Sequence, residues 1–287
     1  MSSRAFRLIL SQLYANLPNA LKSRPWTWDE LILAFNLYCA IPFGQYHRGN
    51  PQVIGLAKLI GRTPGAVAMK LSNFASFDPM HEARNVGGLS HAGKADRDVW
   101  EAFHGNWEEL AYQSEQVMER SVSAEERESS KAEDGQIPKW PEELEISAER
   151  TEKASITRTR LVQSFFRKTV LTSYENRCAI CSLTIPALLV ARHIIPWSAD
   201  VMRRADPTNG LCLCAFHDRA FDRGYIGLDE DLRVLVSPEA EVEDEPAMHK
   251  VAISDIKGRQ IYVPVRFGPD NVAVGYHRDK VFRSSVR

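Results

Sequence analysis

The chain has 287 residues, 44% of them hydrophobic, with 36 Lys+Arg against 37 Asp+Glu. About 150 residues per domain suggests two domains, each able to bury a core, and the ordinary apolar share excludes wholesale disorder. No apolar run reaches the roughly 18–20 residues that span a bilayer, so a soluble cytoplasmic protein without a membrane partner is expected.

In chain order, Phe6, Leu10, Leu13 and Leu17 give residues 1–20 the spacing of an amphipathic helix rather than a signal peptide. Residues 26–110 read as helical, with Trp28, Leu31, Ile32, Phe35 and Tyr38 at helical spacing behind Thr27 as an N-cap. Ala57, Gly61 and Val67 then fall at the spacing of a helix-turn-helix unit, with Thr63 and Pro64 as cap and first residue of its second helix. Outward residues of that unit would be Arg62, Lys70, Ser72 and Asn73, which suit phosphate or base-edge contacts; an ordinary helical hairpin is the alternative.

Residues 111–154 hold 6 basic and 12 acidic residues and few apolar ones, so 113–154 reads as an acidic flexible linker, partly helical at best. A helix over 158–177 follows, its buried stripe formed by Leu161, Phe165, Phe166, Val170, Leu171 and Tyr174. Strands are expected around 187–195 and 225–236, the latter a hairpin turning at Asp229–Asp231. The tail reads as one or two short strands and a final helical turn. The fold class is therefore α+β: a mainly helical, DNA-recognising domain over 1–112, the linker over 113–154, and a second domain over 155–287 with a C-terminal strand extension.

Residues 155–225 carry 10 basic against 5 acidic residues, a surplus that permits nucleic-acid contact, and the chemistry lies in the same stretch. Cys178-x2-Cys181 and Cys214-x2-His217 are two knuckles 32 residues apart, the spacing of a closed Cys3His site for structural Zn2+. Cys212 could replace Cys214 in another register, and small buried thiols in a packed core are the alternative. His193, Asn209, Asp218 and Asp222 form a second grouping. A neutral imidazole at His193 can act as general base, and Asn209 can hold the His193 segment by bonding the backbone opposite. Asp218 and Asp222 stand at i, i+4 of a short helix, two hard oxygen ligands on one face for Mg2+ or Mn2+. The alternatives are a helix-end salt bridge of Asp222 with Arg223 and a solvated Asp218.

The order C-x2-C, then RHIIPW, then PTNGLCLC-x2-HDRAFDRG resembles the HNH (ββα-metal) nuclease domain, in the version of bacterial restriction-type endonucleases, over 158–236. The helix-turn-helix region and the VPVRFGP…YHRDKVF tail are similar to flanks of such proteins. The resemblance implies two strands and a helix around a divalent metal, with His193 as base, Asn209 as orienting residue, Asp218 as metal ligand and His217 as zinc ligand. Two positions depart from the pattern. Arg192 stands where Asp or His often supplies a ligand, which makes Asp222 the candidate second ligand or lets Arg192 grip a phosphate. Asp218 stands where the final His often lies, and an oxygen remains a good Mg2+ ligand.

The expected function is thus a metal-dependent DNA endonuclease in restriction or phage defence. Arg192, Arg203, Arg204, Arg219 and Arg223 would hold phosphates of double-stranded DNA. A homodimer would favour cutting both strands. A non-catalytic, zinc-stabilised DNA-binding regulator and an HNH nuclease acting on RNA are the other readings.

Overall fold

The computed structural model describes residues 24–78, 92–129 and 150–284. The helix expected over 1–20 and the part of the acidic stretch over 130–149 lie outside them. The described residues fall into two compact units. One is drawn from Met1–Cys39, Gly44–His104 and Tyr112–Arg150, the other from Ala40–Phe43, Gly105–Ala111 and Thr151–Arg287. The whole is a mixture of helix and two small sheets, and no described helix is long and apolar enough to cross a membrane.

The first unit is helical: α1 Trp28–Ala40, α2 Pro51–Leu59, α3 Pro64–Ala75, α4 Lys94–Phe103 and most of α5 Trp107–Ser129. A capping box starts α1: the Glu30 N–H donates to Thr27 Oγ1 at 3.2 Å and the Thr27 N–H donates to Glu30 Oε2 at 2.9 Å. Leu31, Ile32, Phe35 and Tyr38 are buried as their spacing demands, whereas Trp28 is exposed. Phe35 forms the centre, its ring 4.9 Å from Phe74 and 5.3 Å from Trp100. Between α2 and α3 the chain turns at Gly61, whose φ of 63° is the left-handed conformation glycine adopts without strain. Ala57 and Val67 flank that turn fully buried, and Thr63 caps α3 ahead of Pro64. Of the stretch 113–154, α5 takes residues up to Ser129 and the next helix begins at Arg150.

The long C-terminal run of the second unit begins within α6 Arg150–Ser173. Its buried stripe is Val162, Phe165, Phe166, Thr169 and Val170, continuing to Tyr174, so Val162 rather than Leu161 faces inward and Leu171 is half-buried. Antiparallel strands β1 Leu189–His193 and β2 Gly210–Cys214 form the first hairpin, with His193 opposite Gly210 and Arg192 opposite Leu211. β2 is buried along its whole length and runs straight into α7 Ala215–Asp222. β3 Ile226–Leu228 and β4 Val234–Val236 form the second hairpin, closed by Asp229 Oδ1 accepting from the Asp231 and Arg233 N–H groups.

The tail differs from expectation. Its described residues form α8 Ala247–Ala252, a single strand-like bridge between Gln260 and Arg233, and a ten-residue helix, α9 Asn271–Lys280, instead of strands and a helical turn. The run from Ile261 to Gly268 includes Pro264 and two loop-directed features, a left-handed Phe267 and a flanking glycine, which oppose a regular ladder.

Candidate functional site

Two centres flank the first hairpin. At the first, Cys178, Cys181, Cys214 and His217 place one ligand atom each within 4.8 Å of one another. Cys214 Sγ lies 3.2 Å and Cys178 Sγ 3.6 Å from His217 Nδ1, and Cys181 Sγ lies 3.9 Å from Cys214 Sγ. Such separations are what four donors about 2.0–2.3 Å from one tetrahedral ion require. The other imidazole nitrogen, Nε2, faces the Ala252 carbonyl at 3.1 Å and so carries the proton, leaving the Nδ1 lone pair toward the thiols. This Cys3His cluster can hold a metal ion, and it is the one such group of three or more ligands among the described residues. Cys212 stands outside it, and burial pushes its thiol up to about 12.

The second centre gathers His193, Asn209, Arg192, Asp218 and Asp222. Asp206 caps the single turn Pro207–Asn209 and so presents Asn209, which is buried. Asn209 Oδ1 accepts from the Ile195 N–H at 2.8 Å, and its Nδ2 donates to the Ile195 and Arg203 carbonyls at 3.2 and 3.3 Å. The chain that follows His193 is thereby tied back on itself, residue 195 to residue 203. His193 Nε2 is 2.8 Å from the Arg204 carbonyl, an acceptor, so Nε2–H donates and Nδ1 keeps its lone pair. The ring lies flat on Phe166, centroids 3.7 Å apart, with Trp197 edge-on. Gly210 makes that stacking possible: a Cβ there would come within 2.4 Å of Val170 and 3.1 Å of the Phe166 ring. Burial lowers the His193 pKa from its ordinary value; the bond to the Arg204 carbonyl partly offsets this and the Arg192 charge adds to it. The imidazole is neutral at pH 7.

Asp218 and Asp222 are brought together, but around a guanidinium. Arg192 donates through Nε and Nη2 to the two oxygens of Asp218 at 2.6 and 2.9 Å, and through Nη1 to Asp222 at 2.7 Å. The sequence left Arg192 as a lost ligand or a phosphate grip; the structure makes it the counter-ion of both carboxylates. Asp222 pairs with Arg192 and, at 3.4 Å, with Arg219, rather than with Arg223.

The remaining basic candidates divide by exposure. Arg219 and Arg223 are exposed, Arg203 is paired with Asp270, and Arg204 lies over the Trp197 ring while donating to its carbonyl. In the first unit the expected outward contacts are turned inward. Arg62 is buried, donating to both oxygens of Glu30 and to the Arg24 and Pro25 carbonyls. Lys70 and Asn73 each donate to buried Asp96 at 2.6 Å. The physical reason is one of desolvation: a buried carboxylate must be paired, and these three side chains are among the donors that Glu30 and Asp96 draw in.

Residues 178–229 match the family model described as HNH endonuclease. The chain carries an HNH endonuclease domain. No curated protein matches the chain. The HNH domain implies nuclease activity and a nucleic-acid substrate, and HNH nucleases depend on a metal.

One residue near this centre escaped the sequence reading. His277 on α9 helps line a cavity of about 350 Å³ with Arg192, His193, Trp197, Asp222 and Val281. Its ring stacks on Phe221 at 3.6 Å and its Nε2 faces the Phe221 carbonyl at 2.9 Å, while its buried Nδ1 has no partner. An imidazole at i+4 from Ala273 on an otherwise apolar stripe was the available signal.

Proposed function

We propose that the chain is a DNA endonuclease of restriction or phage-defence type, hydrolysing phosphodiester bonds with His193 as general base. The observation that carries this reading is the state of His193. Its Nε2–H is committed to a carbonyl, its Nδ1 is free, its pKa is depressed, and it lines a cavity with Arg192. Nδ1 would take the proton of the attacking water. Asn209 positions that imidazole through the 195 and 203 backbone, and Phe166 fixes its plane. Arg192, Arg219 and Arg223 would meet phosphates, with Arg203 and Arg204 stiffening the loop before Asn209. The Cys3His cluster would hold structural Zn2+, since all four positions are protein donors and none is left for water.

Asp218 and Asp222 would offer Mg2+ or Mn2+ hard oxygen donors; in the structure Arg192 pairs with both, so an ion would join them only where that guanidinium gives way. A divalent ion, when bound, supplies neutralisation of the scissile phosphate and of the departing oxygen. Two copies of the chain would serve a double-strand cut. Double-stranded DNA is favoured over RNA here only by the restriction-type resemblance. The Arg192 clamp favours one second reading: a zinc-stabilised DNA-binding protein whose carboxylates never bind a metal.

Purified protein with supercoiled plasmid, methylated and unmethylated, in Mg2+ or Mn2+ and then in EDTA, decides between them. Metal-dependent nicking or linearisation is expected, reduced about 10²–10⁴-fold in His193→Ala. No cleavage in any metal, with DNA binding retained, would sink the nuclease and leave the binder.

A further inference from the structure

The 196–206 loop, between β1 and β2, is folded the reverse way to an ordinary surface loop. Its four charged residues, Asp200, Arg203, Arg204 and Asp206, are all half-buried, whereas every fully exposed side chain in it is uncharged. Foremost among the exposed ones are Val201 and Met202 at the tip, 56% and 85% exposed. A lone apolar side chain in water is ordinary. An adjacent pair, at the tip of a loop that turns its charges inward, is not.

The loop is also braced. The Met202 N–H donates to Asp200 Oδ1 at 2.9 Å, and the Ala199 N–H to the Pro196 carbonyl at 2.9 Å. Arg204 lies over the Trp197 ring and donates to the Trp197 carbonyl, while Arg203 pairs with Asp270. The Arg203 and Arg204 carbonyls in turn meet Asn209 Nδ2 at 3.3 Å and His193 Nε2 at 2.8 Å. The tip therefore rests on the two residues of the proposed cleavage centre. Met202 is two residues from Arg204, so its Cα lies within about 7 Å of the Arg204 Cα. That is about two base steps at about 3.4 Å each, so a strand offering its phosphate to His193 passes the tip. A braced tip has met its ordering cost in folding, which a side chain that must displace stacked bases requires.

We propose that Met202, backed by Val201, is a wedge that enters between stacked base pairs of a DNA duplex beside the phosphate to be cut. This rests on reading the centre as a DNA nuclease site and adds to it a source of specificity. An apolar side chain pushed into the minor groove, methionine among them, partly unstacks a base step. Pyrimidine–purine steps, TA, CA and TG, yield most easily. The wedge thus reads deformability without a hydrogen bond to any base edge, and it directs cleavage to such steps.

The test titrates the full zinc-loaded chain, without added divalent cation, into two DNA duplexes of equal length and composition. One alternates dT and dA, the other is an A-tract, and each carries a single 2-aminopurine in place of adenine. Both offer the same number of phosphates, so the part of any preference that depends on Met202 reports deformation. Wild type should bind the alternating duplex about tenfold more tightly, and 2-aminopurine fluorescence should rise on that duplex alone. Met202→Ala and Met202→Gln should lose both effects while unfolding at the wild-type denaturant midpoint, and Met202→Leu should keep both. Equal wild-type affinity for the two duplexes would overturn the wedge. So would a preference that outlasts Met202→Ala, or a glutamine that serves as well as leucine. Failure of the nuclease reading looks different: preference and fluorescence stand, yet plasmid is never cut. Where plasmid is cut, the wild-type ends should map beside pyrimidine–purine steps and lose that bias in Met202→Ala; wild-type ends without the bias would overturn the wedge as well.

Discussion

Each unit of the chain contains an arginine closed on carboxylate, and the two pairs are built for opposite purposes. In the first unit Arg62 and Glu30 are nearly solvent-free, with side chains 4% and 8% exposed, and Arg62 also donates to two backbone carbonyls. In the second, Arg192 reaches only the side chains of Asp218 and Asp222, and one face of the assembly opens into a cavity. Backbone acceptors cannot be withdrawn, so Arg62 is a fixed part of the packing. Side-chain acceptors on a wet face can be exchanged for others, so Arg192 is free to serve a ligand.

The largest effect expected from this contrast is in the first unit. Arg62→Ala should destabilise the protein by about 3–5 kcal/mol in chemical denaturation, because it leaves Glu30 buried without its main partner. Burial alone would raise the Glu30 carboxyl; Arg62, the Thr27 N–H and Arg24 hold it below the ordinary range. Replacing both ends, as Arg62→Met with Glu30→Leu, should recover much of that loss. A double variant no better than Arg62→Ala would mean that the two backbone carbonyls, not the carboxylate, are what Arg62 chiefly serves.

The contrast was not visible in the sequence, for a physical reason. Arg62 and Glu30 are 32 residues apart, and Arg192 lies 26 and 30 residues from its two partners, so no local pattern joins them. Both arginines therefore looked like surface cations awaiting a phosphate. The Cys3His cluster was easier, since its ligands come as two short knuckles whose spacing is itself the signal, and the structure brings all four together. The 225–236 hairpin was legible from its aspartate turn. β2 was not legible from periodicity, because GLCLC is buried on both faces and shows no alternation. It was anticipated only through the family resemblance. His277 was hidden by its own surroundings, an imidazole on a helix face that otherwise packs like core.

The next effect concerns rate rather than stability. The His193 imidazole must be neutral to act as base, and its pKa is lowered chiefly by burial, with Arg192 adding to the shift. Cleavage should therefore be full at neutral pH and persist below the ordinary histidine pKa, declining only as pH falls through the depressed value. In Arg192→Ala one of the lowering causes is gone, so the acid limb of the pH–rate profile should move to higher pH. An acid limb that moves to lower pH, or does not move, would show that the Arg192 charge does not act on His193.

The smallest effect is the one that makes the comparison sharp. Arg192→Ala should change stability by less than about 1 kcal/mol, despite removing three short hydrogen bonds. Asp222 and, to a lesser degree, Asp218 have access to water, with side chains 34% and 14% exposed, so both carboxylates can rehydrate when the guanidinium goes. Glu30 has no such recourse. The same truncation at two arginine–carboxylate pairs should thus differ several-fold in cost, read side by side by chemical denaturation in the absence of added divalent cation. Equal losses at the two positions would make Arg192 as structural as Arg62, and a side chain that the fold cannot spare could not be surrendered to a phosphate.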